Sequence, residues 1–403
     1  MKVSFQRKVD RLVGSILCRF FSFVSLLRGE RAEPPDSFEP RRILVILLSE
    51  MGSLVLAQPM FRRLQEKYPE ASLYVLCFRQ NKEVLDVVAT IPDQHVLTVR
   101  NDSLGNLLRD SVDVLKEMRR VAIDTVLDCE LFSRIGSIYG FLSGAKIHVG
   151  FHPHTQEGLY RGNFINRPVL YNPYQHISQQ FLTLVEAIES TNTPTVKRPV
   201  DKTPLTIPPM KVEEGEIDAL ARRFRSDFPP ADGKKVILIS PGGGLLPIRA
   251  WPVDHFCQLA ANLTRDGYVV AIIGLGRDKE TAQTIVSHCD SELCIDLTGY
   301  TKTVRELMLL FHVATLLIAN DGGPGHFAAM TPIRTIVFFG PESPTLYGSL
   351  DDRTVNLFQN LSCSPCLTAY NHRDSPCNGD NVCLKSIHPD DVLQKAYGLL
   401  GKE

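Results

Sequence analysis

From Arg41 onward the hydrophobic positions fall into short continuous runs separated by stretches of helical periodicity. Ile43-Leu44-Val45-Ile46-Leu47-Leu48 is apolar throughout, the pattern of a strand covered on both faces of a parallel sheet. Leu56 to Tyr68 then repeats with a helical period and stops before Pro69. Further strands are predicted over Leu73–Phe78, His95–Val99 and Ile123–Leu127, with a helix over Leu104–Arg119 between the last two. Five prolines between Thr191 and Pro209 break the alternation, so residues 191–216 read as a linker. The pattern then restarts. Strands are predicted over Val236–Ser240, Tyr268–Ile273, Thr315–Ala319 and Thr335–Phe339. Helices are predicted over Val253–Arg265, Lys279–His288 and Thr303–Phe311, and again after Gly322-Gly323-Pro324. Alternating βαβα order implies parallel sheets. The expectation is an α/β protein of two Rossmann-like halves, residues 41–190 and 217–403. In such sheets ligands sit at the carboxyl ends of strands, so the active site is expected between the halves.

Residues 1–40 follow a different rule. Leu12, Val13, Ile16, Leu17, Phe20, Phe21, Val24 and Leu27 recur at helical spacing, with Arg11, Ser15, Cys18, Ser22 and Ser25 on the opposite side. Between Met1 and Arg31 there are seven basic and two acidic residues. A cationic helix with aromatic residues on its apolar face suits the surface of an anionic membrane. The alternative is a helix packed on the protein's own surface or on a partner. Arg19 in mid-segment argues against a transmembrane span. No small-x-small cleavage site precedes Glu33-Pro34-Pro35-Asp36, which argues against a signal peptide, so a cytoplasmic protein peripheral to the membrane is expected.

At 403 residues the chain exceeds one compact core and suits two domains. Its formal charge of −1 argues against a dedicated nucleic-acid binder, which needs a basic excess to meet phosphates. There is no Walker loop, and Gly274-Leu275-Gly276 lacks the third glycine of a dinucleotide fingerprint.

Three loops hold candidate chemistry. Ser49-Glu50-Met51-Gly52-Ser53 follows the first buried strand; it offers backbone N–H groups and the Glu50 carboxylate, or is an ordinary strand–helix turn. Ser240-Pro241-Gly242-Gly243-Gly244 allows close backbone approach to a ligand, and Arg249, just before Ala250-Trp251-Pro252, suits phosphate oxygens; the alternative is a flexible turn with a surface arginine. Asn320-Asp321-Gly322-Gly323-Pro324-Gly325-His326-Phe327-Ala328-Ala329 leads from an apolar strand into a helix. Free N–H groups at that start favour a diphosphate, Asp321 accepts from sugar hydroxyls, and His326 either donates to phosphate or caps and packs.

Together these residues resemble glycosyltransferase family 9, whose best-known members are ADP-heptose:lipopolysaccharide heptosyltransferases. Residues 320–329 are similar to the family's N-D-S/T-G-P-x-H-x-A-A signature, with Gly322 at the hydroxyl position. Ser240-Pro241-Gly242 with Arg249 and Trp251-Pro252 is similar to its N-P-G and K-R-W-P stretch, and Leu297-Thr298-Gly299-Tyr300-Thr301 and Phe339-Gly340-Pro341-Glu342-Ser343-Pro344 also fit. The resemblance implies a GT-B fold, with the acceptor held mainly by the first domain and a nucleotide-diphospho-sugar by the second. It implies inverting transfer without a metal cofactor, from a donor such as ADP-heptose to a lipid-linked core or related glycan at the inner face of a bacterial inner membrane. Gly242, Gly243, Arg249, Asp321, Gly322, Gly323, Gly325 and His326 become the expected donor-binding residues, Arg249 standing where the family has a lysine. The family's first loop reads S-x-G-D with aspartate as base; here that position is Ser53, and Glu50 is the replacement.

Cys363-x2-Cys366-x10-Cys377-x5-Cys383 has spacing suited to a structural zinc; disulfides and reduced thiols are the alternatives. His152, His154, Tyr160 and Arg161 either line an acceptor pocket or form a solvated loop. Two further functional readings stay open, a nucleotide-sugar epimerase of similar fold and a non-catalytic sugar-nucleotide-binding protein.

Overall fold

The computed structural model describes residues 3–29, 38–48, 50–152, 160–190, 205–369 and 375–401. Its chain divides into two compact units, one running to Leu205 and the other spanning Thr206–Leu367 and resuming at Ser375. The break falls inside the proline-rich 191–216 stretch.

The first unit is built on six parallel strands: β1 (Arg42–Ile46), β2 (Ser72–Phe78), β3 (Val96–Val99), β4 (Thr125–Asp128), β5 (Ile147–Phe151) and β6 (Arg167–Val169), in the order β3-β2-β1-β4-β5-β6. β1 is central, pairing Val45 with Val75 on one side and with Leu127 on the other. That double pairing is why four of its five residues are buried and its sequence is continuously apolar. The second unit repeats the plan with β7 (Val236–Ser240), β8 (Val269–Gly274), β9 (Cys294–Thr298), β10 (Leu316–Asn320), β11 (Arg334–Phe339) and β12 (Thr354–Phe358), ordered β12-β11-β10-β7-β8-β9. In both units the strand order reverses beside the first strand, between β1 and β4 and between β7 and β10. Crossovers there leave on opposite faces of the sheet and open a crevice at the strands' carboxyl ends. These α/β units are of the GT-B type expected from the sequence.

Most elements lie where periodicity puts them. The helix Val253–Arg265 matches its expected range, and Leu104–Arg120 starts from Ser103, whose hydroxyl accepts from the Asn106 N–H at 3.2 Å. The helix expected over 56–68 is observed as Gln58–Lys67, begun at Pro59, and a short helix not expected from the pattern, Met51–Leu56, precedes it. In the second unit Trp251 fills the core: its ring stacks on Phe338 at 4.5 Å and its indole N–H donates to the Ile387 carbonyl at 3.0 Å.

The N-terminal segment is helical over Val3–Val9, makes a wide π-turn at Asp10–Gly14, and continues as the helix Ser15–Arg28, closed by Gly29 at φ 66°. It packs on the first unit through its polar side. Gly14 brings the backbone against Arg134, where a Cβ would lie 3.1 Å from that side chain. Among the described residues no helix is long and apolar enough to cross a membrane.

Candidate active site

The crevice of the second unit is organised by Asn320 at the end of β10. Its amide accepts from the Trp251 N–H at 2.9 Å and donates to the Pro241 carbonyl at 2.7 Å, tying the loop after β7 to the loop after β10. The glycines in the first loop are steric requirements. A Cβ on Gly242 would sit 2.8 Å from the Asp278 carboxylate, and one on Gly243 would sit 2.9 Å from the Leu246 carbonyl oxygen. Arg249 closes the short turn Pro247–Arg249, and its Nη1 donates to Asp321 Oδ2 at 3.2 Å. Both side chains are largely buried. Asp321, Gly322, Gly325 and His326 line one small pocket with Val337, Phe339, Tyr347, Ser349 and Asn356. Gly323 opens the helix Gly323–Ala328 between them. The chain thus brings the three loop motifs of this half, 240–244, 249–252 and 320–329, to one end of one sheet. Gly322 is extended (φ 166°), a conformation open to any residue, and a Cβ there meets nothing closer than 3.8 Å.

Glu342, in the loop after β11, stands in the Phe339–Pro344 stretch that fits the family, where the sequence assigns it no role of its own. It is 2% exposed, and burial, reinforced by the Asp321 charge and opposed by Arg249, pushes its carboxyl up to about 8. A protonated carboxyl is therefore the neutral-pH form beside the Arg249–Asp321 pair. A single carboxylate between prolines gives no sequence pattern that announces its burial.

In the first unit, Glu50 is the extended residue before the helix Met51–Leu56, and the Ser53 hydroxyl donates to its Oε2 at 3.3 Å. Ser49 lies outside the described residues. The loop's entry is clamped at Leu48, whose N–H donates to Glu130 Oε1 and whose carbonyl accepts from Asn81 Nδ2, each at 2.6 Å. Glu130 and Asn81 are buried, so the strand end delivering Glu50 is held by side chains that periodicity does not mark.

With both crevices described, comparison with known proteins decides the family. The model of glycosyltransferase family 9 (heptosyltransferase) matches residues 113–375. The chain belongs to glycosyltransferase family 9. Its curated relatives include lipopolysaccharide heptosyltransferase 2 of Salmonella typhimurium, 23% identical over 371 residues, covering 90% of this chain and 99% of that protein. Lipooligosaccharide heptosyltransferase 2 of Haemophilus influenzae is 29% identical over 50% of this chain and 58% of its own length. Among solved structures, the ADP-heptose heptosyltransferase II of E. coli shares the fold at TM-score 0.68 and 20% identity, covering 90% of this chain and 99% of that one. A family 9 protein of Veillonella parvula does so at 0.69 and 19%, covering 91% and 100%. This chain is therefore a glycosyltransferase, as the motifs implied.

One reading changes within the family 9 frame. Arg161, weighed as an acceptor-pocket residue or part of a solvated loop, is 1% exposed: it pairs with Asp128 at the end of β4 and donates to the carbonyls of Glu130 and Ser133. It holds the crevice floor. His152 is also buried, 3.3 Å from Asn163, Tyr160 bonds to Ser22 at 2.8 Å, and His154 lies outside the described residues. Burial raises the Asp128 carboxyl and Arg161 opposes the rise, so Arg161→Met strands a buried acid. That variant should lose about 3–5 kcal/mol of stability in urea unfolding, and adding Asp128→Asn should recover part of it.

The four cysteines weighed as a structural zinc set differ in their surroundings. Cys363 and Cys377 are exposed, Cys366 Sγ lies 3.0 Å from the Ser375 hydroxyl, and Cys383 is buried. Among the described residues no group of three or more His, Cys, Asp or Glu is placed to hold a metal ion.

Proposed function

We propose that this glycosyltransferase moves a heptose from ADP-heptose to a lipopolysaccharide-core glycan, inverting the anomeric centre and needing no metal ion. The names of its relatives support the donor and acceptor classes. The observation that carries the reading is the Arg249–Asp321 pair at the strand-order reversal of the second unit, where an α/β sheet presents its ligand site.

The acceptor hydroxyl oxygen attacks the anomeric carbon from the face opposite the diphosphate. The new C–O bond forms as the bond to the diphosphate breaks, the electron pair leaving with the ADP oxygen. Glu50 takes the hydroxyl proton, its carboxylate oriented by the bond it accepts from the Ser53 hydroxyl. Arg249 meets the diphosphate with a planar fork and a permanent charge, doing electrostatically what a metal ion does elsewhere. Asp321 holds that guanidinium on one side. Because the acceptor is carried on lipid, the reaction belongs at the inner face of the bacterial inner membrane.

Incubating the purified chain with ADP-, GDP- and UDP-sugars, each with and without a delipidated core oligosaccharide, tests the proposal. ADP should appear only when ADP-heptose and the oligosaccharide are both present, EDTA should leave the rate unchanged, and the oligosaccharide should gain one heptose of inverted configuration. Isomerised donor without acceptor, or donor binding without turnover, would replace this reading with the epimerase or the binding protein.

A further inference from the structure

The N-terminal helical segment sits on the first unit the opposite way round from an ordinary amphipathic helix. Its inward side is small and polar. Cys18 and Ser25 are buried, Asp10 pairs with Arg134 at 3.0 Å, and the Ser22 hydroxyl bonds to Tyr160 at 2.8 Å and accepts from the Asn163 N–H at 2.9 Å. Phe21 is the large inward exception, stacked on Phe141 at 4.9 Å. The outward side is apolar: Leu12, Ile16, Phe20, Phe23 and Leu27 are each 56–70% exposed. At 100° per residue they fall on one continuous stripe. Exposed large apolar residues scattered singly need no explanation, but a stripe of this kind on a helix whose polar side is bonded to the protein marks a binding surface.

Charge selects the occupant. The described segment carries Arg7, Lys8, Arg11, Arg19 and Arg28 against one acid, Asp10, which is turned inward to Arg134. The whole chain, by contrast, has a formal charge of −1. Aromatic and aliphatic side chains flanked by exposed cations match the acyl–headgroup boundary of an anionic bilayer. Arg19 lies along the stripe itself, where its stem is long enough to reach back to headgroups.

We propose that this stripe is a membrane-docking surface: the helix lies in the plane of an anionic lipid interface, and its polar side fixes the first unit to it as a rigid clip. The inference goes beyond the heptosyltransferase reading, because it rests on the helix alone and holds for any lipid-carried acceptor. In co-sedimentation, the full chain should bind vesicles of 70% phosphatidylcholine and 30% phosphatidylglycerol at least tenfold more tightly than pure phosphatidylcholine vesicles. The pair Ile16→Asp and Phe20→Asp, both on exposed positions, should abolish that preference and binding while leaving the melting temperature and the transfer rate to a soluble oligosaccharide unchanged. Failure of wild-type binding, or equal binding by the variant, overturns the inference. So does sedimentation showing a wild-type dimer that the variant loses, which would assign the stripe to a second copy of the chain. Activity on the soluble acceptor is read separately, so failure of the wild-type chain to bind vesicles while it still transfers overturns only the docking surface, not the proposed function.

Discussion

Arg249→Ala should lower kcat/KM for donor by about 100- to 1,000-fold, the range seen when one preorganised charge-stabilising donor is removed. Arg249 is the positive group between two acids in this crevice: it donates to Asp321 and it opposes the rise of Glu342. Its removal takes away the counter-charge for the leaving diphosphate and also leaves Asp321 and Glu342 facing each other. Glu342 loses the charge that opposes its rise, so its carboxyl should move further up and the variant's residual activity should show a displaced pH profile as well as a lower maximum. Arg249→Lys keeps the charge and loses the fork, and should fall between the two. The wild-type profile has a worked sign. With its carboxyl pushed up to about 8, Glu342 holds a proton in the folded protein that the unfolded chain releases from its ordinary 4.5. Its contribution to stability is therefore complete below about 4.5 and is lost as pH rises to 8. Above 8 a new negative charge stands beside the diphosphate site, so KM for donor should rise there. Glu342→Gln should flatten both trends, and an unchanged pH profile in that variant would show that Glu342 does not govern them.

Much of this crevice was legible in the sequence because its parts are backbone features. Gly242 and Gly243 announce close approach, and close approach is what the Asp278 carboxylate and the Leu246 carbonyl impose. Strand ends are equally legible where both sheet faces are covered: β7 was predicted at its observed range and β10 one residue early. The pattern finds the edge strand β3 but misses the interior strand β5, where His148 and Gly150 interrupt the apolar run, and the edge strands β6 and β12. β6 is three residues with Pro168 at an edge, and β12 is half-buried along its length, so neither gives a continuous apolar run. It fails again for buried polar residues. Glu130, Asn81, Asp128 and Glu342 look like surface residues in a one-dimensional reading, because only tertiary partners make their burial affordable. The N-terminal helix shows a third kind of failure. Its amphipathic period was visible, yet the period alone does not say which side meets the protein; that is decided by Asp10, Gly14 and Ser22 finding Arg134 and Tyr160.

Glu50→Gln should reduce transfer by about 100- to 10,000-fold, the span of a positioned general base, while changing donor affinity less than twofold. The proposed mechanism implies this separation. Glu50 belongs to the loop after β1, whereas Arg249, Asp321 and His326 belong to the second unit, so a change of charge at Glu50 leaves the donor's contacts intact. Glutamine preserves the shape and still accepts from the Ser53 hydroxyl, which keeps the start of the helix Met51–Leu56 in place. What it loses is the capacity to take a proton. Ser53→Ala supplies the control. Losing that hydroxyl removes the bond at Glu50 but leaves its carboxylate, so transfer should stay close to wild type. A purely positional role for Glu50 would instead lower transfer in both variants. Donor binding measured by calorimetry beside single-turnover transfer distinguishes the two, and full transfer by Glu50→Gln would assign the proton to another group.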